Sequence, residues 1–334
     1  MKRITLKDVG KKIGLTHATV SMALNNDPRV RKTTKELVLK TAAEMGYYPD
    51  ATARRLKTGK TNTIGVVITE FGSAFANEIL HGAEIKRLDT KYDMQVFTGS
   101  DIHPKGSEVS WRYRVLERVV KEKLADAVIY LSPKMHENFE PLLAYKVPIV
   151  IIEEERPGMN SIIFDNFESG YMAAKYLFKK GKKRPVFVCG DYETMLTQRQ
   201  RFDGYKKALK EEGFVFDPKD AYTLFLLHYK QGIDVMRKIV ASKRKYDSVL
   251  CAAGDLVAFG MMGEARRMGI NIPKDLAFIG HDNSDVADMA GLTTIKQPNV
   301  EMGRKAFSLA VSALEKNPPR TVQFRPELIE RETV

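Results

Sequence analysis

The sequence predicts two architectures in series: an N-terminal all-α helix-turn-helix module, then a larger α/β part whose parallel sheets form two lobes. Three observations predict this. Two short helical patterns flank a glycine turn within residues 5–25, TLKDVGKKIGLTHATVSMALN. From Asn62 onward, apolar runs of strand length alternate with amphipathic runs of helix length. Strand–helix–strand repetition of that kind means a parallel sheet covered on both faces. The charge is also lopsided: residues 1–60 hold 14 Lys and Arg against 5 Asp and Glu, a net +9 of the chain's +12. A small basic module joined to a nearly neutral remainder is the electrostatic footprint of nucleic-acid binding.

The bulk properties narrow the classes. At 334 residues and 43% hydrophobic content the chain suits two or three domains with sizeable cores. Its two cysteines, Cys189 and Cys251, lie in apolar runs and read as buried thiols, not as a disulfide or a ligand pair. No charged-then-apolar leader opens the sequence, and the longest apolar runs, such as 147–152, fall far short of a membrane span. A cytoplasmic protein is expected. The six histidines show no metal spacing, and no Ser/His/Asp set or carboxylate pair is placed for catalysis. Neither a metal nor a cofactor is expected.

Within the module, Leu6, Val9 and Ile13 fall at helical spacing. Thr5 with Asp8 three residues on reads as a capping box, and Gly14 tolerates the left-handed conformation that ends the helix. Thr16 caps a second helix, with Val20 and Leu24 inward and the small Ala23 packing closely. His17, Ala18, Ser21, Met22 and Asn25 face outward. A third helix is predicted over 33–46, with Thr33 and Glu36 as a capping box and Leu37, Val38, Ala42 and Met45 inward. Helices so joined place the second one in the DNA major groove. A small helical cap with no DNA role is the plainer alternative, and the charge argues against it. Pro49 ends this stretch, and Asp50 could cap a short basic helix over 51–57. That helix is shorter than the ~12–15 residues needed for marginal stability alone, so it is either a flexible linker or a helix that folds on DNA. The divisions are 1–46 for the module, 47–60 for the hinge and 61–334 for the sensor.

In the α/β part, strands are predicted at 64–68, 94–98, 127–131 and 149–152, with helices at 75–90, 107–123 and 135–144. A second set has strands at 161–164, 186–189, 222–225, 249–252 and 277–280. Helices at 169–180, 201–212, 232–242 and 256–268 separate these, and a strand at 293–295 and a helix at 302–314 follow. Two such sheets imply a cleft between lobes, a common place for a small ligand.

The helix-turn-helix stretch, then PDATARRLKTGKTNTIGVV, NSIIFDN, GHDNSD and GLTTIKQP, resemble the lactose/galactose/purine repressor (LacI) family in order and over essentially the whole chain. The resemblance implies a homodimeric transcription regulator, most often a repressor, that binds a pseudo-palindromic operator in double-stranded DNA. It implies a type I periplasmic-binding-protein-like sensor for a small polar effector, sugar-like or another metabolite. Three strands cross between a near lobe (62–163 and 295–321) and a far lobe (164–294 and 322–334). By the same resemblance His17, Ala18 and Met22 read bases. Thr5, Thr16, Thr19, Ser21, Asn25, Thr34 and Tyr47 contact phosphates, which fixes register without reading sequence. Ala53 and Leu56 enter the minor groove, and Thr69, Glu153, Phe164, Arg201 and Asp282 line the effector site. The chain departs from the pattern at Asp50, where the family usually has asparagine, at Gly254, where many sugar-binding relatives have asparagine, and at Leu227, which stands near the usual stacking aromatic with Phe225 close by.

An Arg/Asp pair suits hydroxyl-rich or planar polar ligands through bidentate hydrogen bonds. Arg201 and Asp282 could instead only bridge the lobes, Asp255 and Asp285 could be helix caps, and His281 reads as a hydrogen-bonded rim residue. Two other function classes compete. A transport-type binding protein shares the sensor fold but needs export and carries no basic helix-turn-helix. An enzyme on a doubly wound sheet would want a phosphate loop such as GxGxxG, which IGVVITEFGSAF lacks. Within the regulator architecture, the alternative is a sensor of binding-protein type with an altered or absent effector response.

Overall fold

The computed structural model describes residues 4–48, 59–69, 71–99 and 110–334. The chain forms two compact units, Met1–Thr61 and Asn62–Val334.

The first unit holds α1 (Leu6–Ile13), α2 (His17–Leu24) and α3 (Lys32–Glu44). The capping box at its start is present: Asp8 N donates to Thr5 Oγ1, and Thr5 N donates to the Asp8 carboxylate at 2.8 Å. Gly14 ends α1 with φ +68°. Val9, Val20, Ala23, Val30, Val38 and Ala42 form the core. Two expectations for the third helix fail. Its first residue is Lys32, with Arg31 at the cap making no side-chain bond, so Thr33 lies inside the first turn and the Thr33–Glu36 box does not form. Val30, tucked into the core, starts the helix early. Leu37 is 48% exposed. The inward stripe is Val38, Thr41, Ala42 and Met45, and Leu37 sits one residue, about 100°, off it. The expected hinge helix, with Ala53 and Leu56, lies outside the described residues.

The second unit contains two six-stranded sheets. The first is built from β1 (Thr63–Ile68), β2 (Asp93–Thr98), β3 (Ala127–Leu131), β4 (Ile149–Ile152), β5 (Asn160–Phe164) and the late β11 (Thr321–Phe324). Their order is β11-β5-β4-β3-β1-β2, all parallel. Helices α4 (Ala74–Arg87) and α12 (Asn299–Leu314) cover one face and α5 (Trp111–Lys121) the other. The second sheet uses β6 (Pro185–Cys189), β7 (Ala221–Thr223), β8 (Ser248–Cys251), β9 (Ala277–Asp282), β10 (Thr293–Lys296) and β12 (Glu327–Ile329), in the order β12-β10-β9-β8-β6-β7. It is parallel except for β12, which runs antiparallel to β10. Helices α7 (Asn166–Lys179) and α8 (Leu196–Glu211) cover one face; α9 (Tyr229–Ala241) and α10 (Asp255–Arg267) cover the other. The short helices α6 (Glu140–Leu143) and α11 (Asp285–Met289) complete the unit.

The chain passes between the sheets three times, later than expected each time. All of β10 stays in the second sheet as far as Lys296, and β11 pairs with β5 through Phe324. Each strand completes its hydrogen-bonded ladder before the chain crosses, which moves the near-lobe segment from 295–321 to roughly α12 through β11. The helix expected at 135–144 shrinks to α6, because Glu137 turns inward to Tyr130 and Ser110. The edge strands β11 and β12 were not anticipated: both are short and partly exposed.

Paired helices touch through glycine. A Cβ on Gly170 of α7 would lie 2.0 Å from the Arg201 carbonyl oxygen of α8, and one on Gly204 of α8 would lie 2.1 Å from that of Phe167. The missing side chains let the two backbones meet, and this contact seats Arg201.

Candidate nucleic-acid interface and ligand cavity

In the first unit α2 presents an open face. His17 and Ala18 at its start are exposed. Met22 is half-buried and packs against the small core. Around them lie hydroxyls held by the helix end itself. Thr16 Oγ1 accepts from Thr19 N at 3.1 Å and lies 2.9 Å from Thr19 Oγ1. Asn25 Nδ2 donates to the Ser21 carbonyl at 2.8 Å. Thr5 is engaged in the capping box, and Thr34 and Tyr47 are half-buried, Tyr47 against the core. Arg29 is drawn onto Asp27 at 2.7 Å, which holds that carboxyl down to about 2. Lys35 donates to Asn26 Oδ1 at 2.7 Å. The arrangement offers one imidazole, one methyl and one thioether to a groove, with hydroxyls and helix amino ends suited to phosphate oxygens.

In the second unit the carboxyl ends of both sheets' strands open onto a cavity of about 220 Å³, as expected where strand order reverses in doubly wound sheets. Thr69 beyond β1, Glu153 beyond β4, Arg201 of α8 and Asp282 at the end of β9 all line it. Arg201 is buried and anchored through each of its three guanidinium nitrogens. Its Nε donates to Asn166 Oδ1 at 2.7 Å, and its terminal nitrogens donate to the Ala252 carbonyl at 2.8 Å and Gln297 Oε1 at 3.0 Å. All three acceptors are neutral. Arg201 and Asp282 both belong to the second sheet's lobe, and among the described residues they form no ion pair, so the bridge between lobes does not exist. Glu153 accepts the Ser132 hydroxyl, and Asp282 Oδ1 lies 3.0 Å from His281 Nδ1. Burial raises the proton affinity of both carboxyls against the opposing pull of Arg201. Glu153 and Asp282 also hold φ +81° and +109°, conformations that cost an L residue about 1–3 kcal/mol each. A Cβ on Gly254 would lie 3.0 Å from Asp282 Oδ2. Phe225 and Leu227 both line the cavity.

Two placements differ from expectation. Phe164 is not in the cavity wall. It is buried and meets the His281 ring edge-on at 5.8 Å, one layer below. His281 is not on a rim: it is 2% exposed, and burial pushes it well below its ordinary range, toward the neutral ring. Asp255 begins α10 without capping it. It accepts from Ser284 N at 2.9 Å and Thr294 Oγ1 at 2.7 Å, tying three segments together. Sequence reasoning missed Arg112. It is 1% exposed, lines the cavity from α5, lies over the Tyr130 ring at 5.6 Å and donates to Tyr130 Oη and the Ser132 carbonyl. An arginine in a helix that also carries Arg114 and Arg118 reads as surface, so no signal marked it. Asn166 and Gln297, which hold Arg201, were also missed.

Among the described residues no group of three or more His, Cys, Asp or Glu could hold a metal ion, and no helix is long and apolar enough to cross a membrane. Residues 5–50 match the description of bacterial regulatory proteins, lacI family, and residues 174–334 match the periplasmic binding protein-like domain. The chain is 31% identical to the HTH-type transcriptional regulator RegA of Clostridium saccharobutylicum, over 98% of each chain. It is 28% identical to the HTH-type transcriptional repressor PurR of Vibrio cholerae serotype O1 (strain M66-2), over 99% of this chain and 98% of that one. Among solved structures, the lac repressor dimer bound to operator and the anti-inducer ONPF superposes with a TM-score of 0.84 at 20% identity, covering 99% of each chain. A CelR–cellobiose complex does so with a TM-score of 0.72 at 24% identity, covering 99% of this chain and all of that one.

Proposed function

The chain belongs to the lacI family of bacterial regulatory proteins, and from that premise we propose that it is a sequence-specific transcription regulator, a homodimeric repressor of a pseudo-palindromic operator. Its DNA binding responds to a small polar ligand in the inter-lobe cavity, it works in the cytoplasm, and it catalyses no reaction. The observation that carries this reading is the open face of α2, with His17 and Ala18 exposed beside phosphate-suited hydroxyls, on a chain similar throughout to a named HTH-type regulator. His17 is the one strong hydrogen-bonding side chain among the three proposed base readers. Ala18 and Met22 offer only apolar contact, which in the major groove suits the thymine methyl. Thr5, Thr16, Thr19, Ser21, Asn25, Thr34 and Tyr47 fix register on the phosphates. Ala53 and Leu56 of the hinge are proposed to enter the minor groove, where a leucine wedge kinks the duplex. Thr69, Glu153, Arg201 and Asp282 are the effector contacts.

A gel shift with fragments of genomic DNA tests it. A discrete complex on a few fragments is expected, surviving excess nonspecific DNA and weakened in His17→Ala. Uniform weak binding to all fragments removes the regulator assignment.

A further inference from the structure

Resting on the effector reading above, we infer that the ligand is an uncharged amphipathic glycoside. Its hydroxyl-bearing ring lies deep in the cavity, and an apolar arm, aryl or bulky alkyl, lies at the mouth. Charge carries the first half of the inference. Among the described residues, the Lys and Arg side chains lining the cavity are Arg112, Lys134 and Arg201, and the Asp and Glu side chains are Glu153, Asp191 and Asp282. The two sets balance, and Glu153 and Asp282 both act on the Arg201 guanidinium. A ligand with a net charge of either sign finds no surplus partner there, yet loses its hydration on entry. The deep groups mix donors with acceptors. Arg201 donates, and Gln198 spends its oxygen on Gly190 N at 2.9 Å and keeps its amino group. Glu153 and Asp282 keep acceptor sites beyond the Ser132 hydroxyl and His281, because a carboxylate has about four. A hydroxyl both donates and accepts, so it satisfies such a mixture.

The apolar lining carries the second half. Phe75 of α4 comes from the first sheet's lobe; Phe225 and Leu227, between β7 and α9, and Leu256 of α10 come from the second. Phe225 is 73% exposed, and the other three are only half-buried. Large apolar side chains left open to water around one cavity mark a surface that a ligand covers. Arg201, Gln198 and Glu153 are buried, so the polar groups lie deep and the apolar ones at the mouth. A sugar ring by itself leaves the mouth wet. An apolar group on that ring covers it and touches both lobes at once.

The test uses the full-length protein at fixed ionic strength. For glucose and galactose in parallel, the probes are the methyl glycoside, the phenyl glycoside and the phenyl uronide, which adds a carboxylate to the same arm. At least one phenyl glycoside is expected to raise the melting temperature and to bind ~10-fold or more tightly than its methyl partner, the gain from filling an apolar pocket. Its uronide should bind more weakly. Phe225→Ala, at an exposed position outside the core, should bring the phenyl glycoside down to the affinity of the methyl one. Three results overturn the inference and leave the effector reading standing: equal binding of methyl and phenyl glycosides, a phenyl advantage that survives Phe225→Ala, or a uronide that binds as tightly as its phenyl glycoside. No shift from any probe also overturns the inference. If a small-molecule extract of cells then shifts the melting temperature, the effector reading survives; if it does not, both fall.

Discussion

Base preference at the proposed interface turns on Met22. It offers no hydrogen-bond donor, and it packs partly against the core of the small unit. Met22→Arg should shift preference toward guanine at one operator position by ~1–3 kcal/mol, the worth of a good bidentate contact. Selection from random sequences checks this, and identical selected sites for both proteins would take α2 out of the groove. A second residue-scale prediction concerns Glu78 on α4, which accepts from Asn299 Nδ2 at 3.0 Å. Burial, with the Asp282 and Asp285 carboxylates nearby, pushes it up to about 7. The folded state therefore binds a proton that the unfolded chain has already released above the ordinary carboxylate range. Stability from this group is lost as pH rises toward 7. Asp255 and Asp282 are raised by burial too and act in the same direction. Melting temperature should fall between pH 5 and pH 8. Glu78→Gln should recover about 1–2 kcal/mol at pH 8, discounted for partial exposure, and nothing at pH 5. Equal effects at both pH values would contradict the assignment.

At the scale of elements, the α7–α8 contact joins fold to site. Gly170 meets the Arg201 carbonyl directly, so this helix pair sets where the cavity arginine sits. Gly170→Ala places a methyl against backbone that cannot turn aside. It should cost about 3 kcal/mol, the upper range for overpacking a tight core, and displace Arg201. Thermal melts and ligand affinity should then both fall; a variant as stable as wild type with unchanged ligand binding would show that the helices separate freely. The same device recurs between α4 and α12, at Gly82 and Gly303, and between α9 and α10, at Gly232 and Gly260. Nothing in the sequence distinguishes these glycines from helix-weakening ones, because their reason is a partner helix remote in the chain.

For the whole molecule, the charge distribution and the two-fold symmetry of an operator set the expectations. A protein reading two half-sites is itself two-fold, and sedimentation at micromolar concentration should give a dimer; a stable monomer or tetramer would count against the reading. With most of the net charge in residues 1–60 and two of the three proposed base readers apolar, phosphate contacts should supply much of the affinity. Operator binding should then fall steeply with salt, with a log–log slope set by the number of phosphates neutralised. A salt-independent complex would mean that base contacts dominate.

The sequence by itself determined the elements whose causes are local. The Thr5–Asp8 box, the Gly14 stop, the Thr16 cap and the apolar strands of both sheets were legible because a few neighbouring residues decide them. Family likeness added Thr69, Glu153, Arg201 and Asp282, which the fold does bring to one cavity. Tertiary structure alone decided the rest. It set Phe164 and His281 beneath the wall, turned Glu137 inward and so shortened α6, and brought α3 forward onto Val30. It gave β11 and β12 their sheets, and it put Arg112 in the cavity. Each of these depends on what a residue meets across the fold. Burial and long-range hydrogen bonding, not local spacing, fix that outcome, so no pattern along the chain carries it.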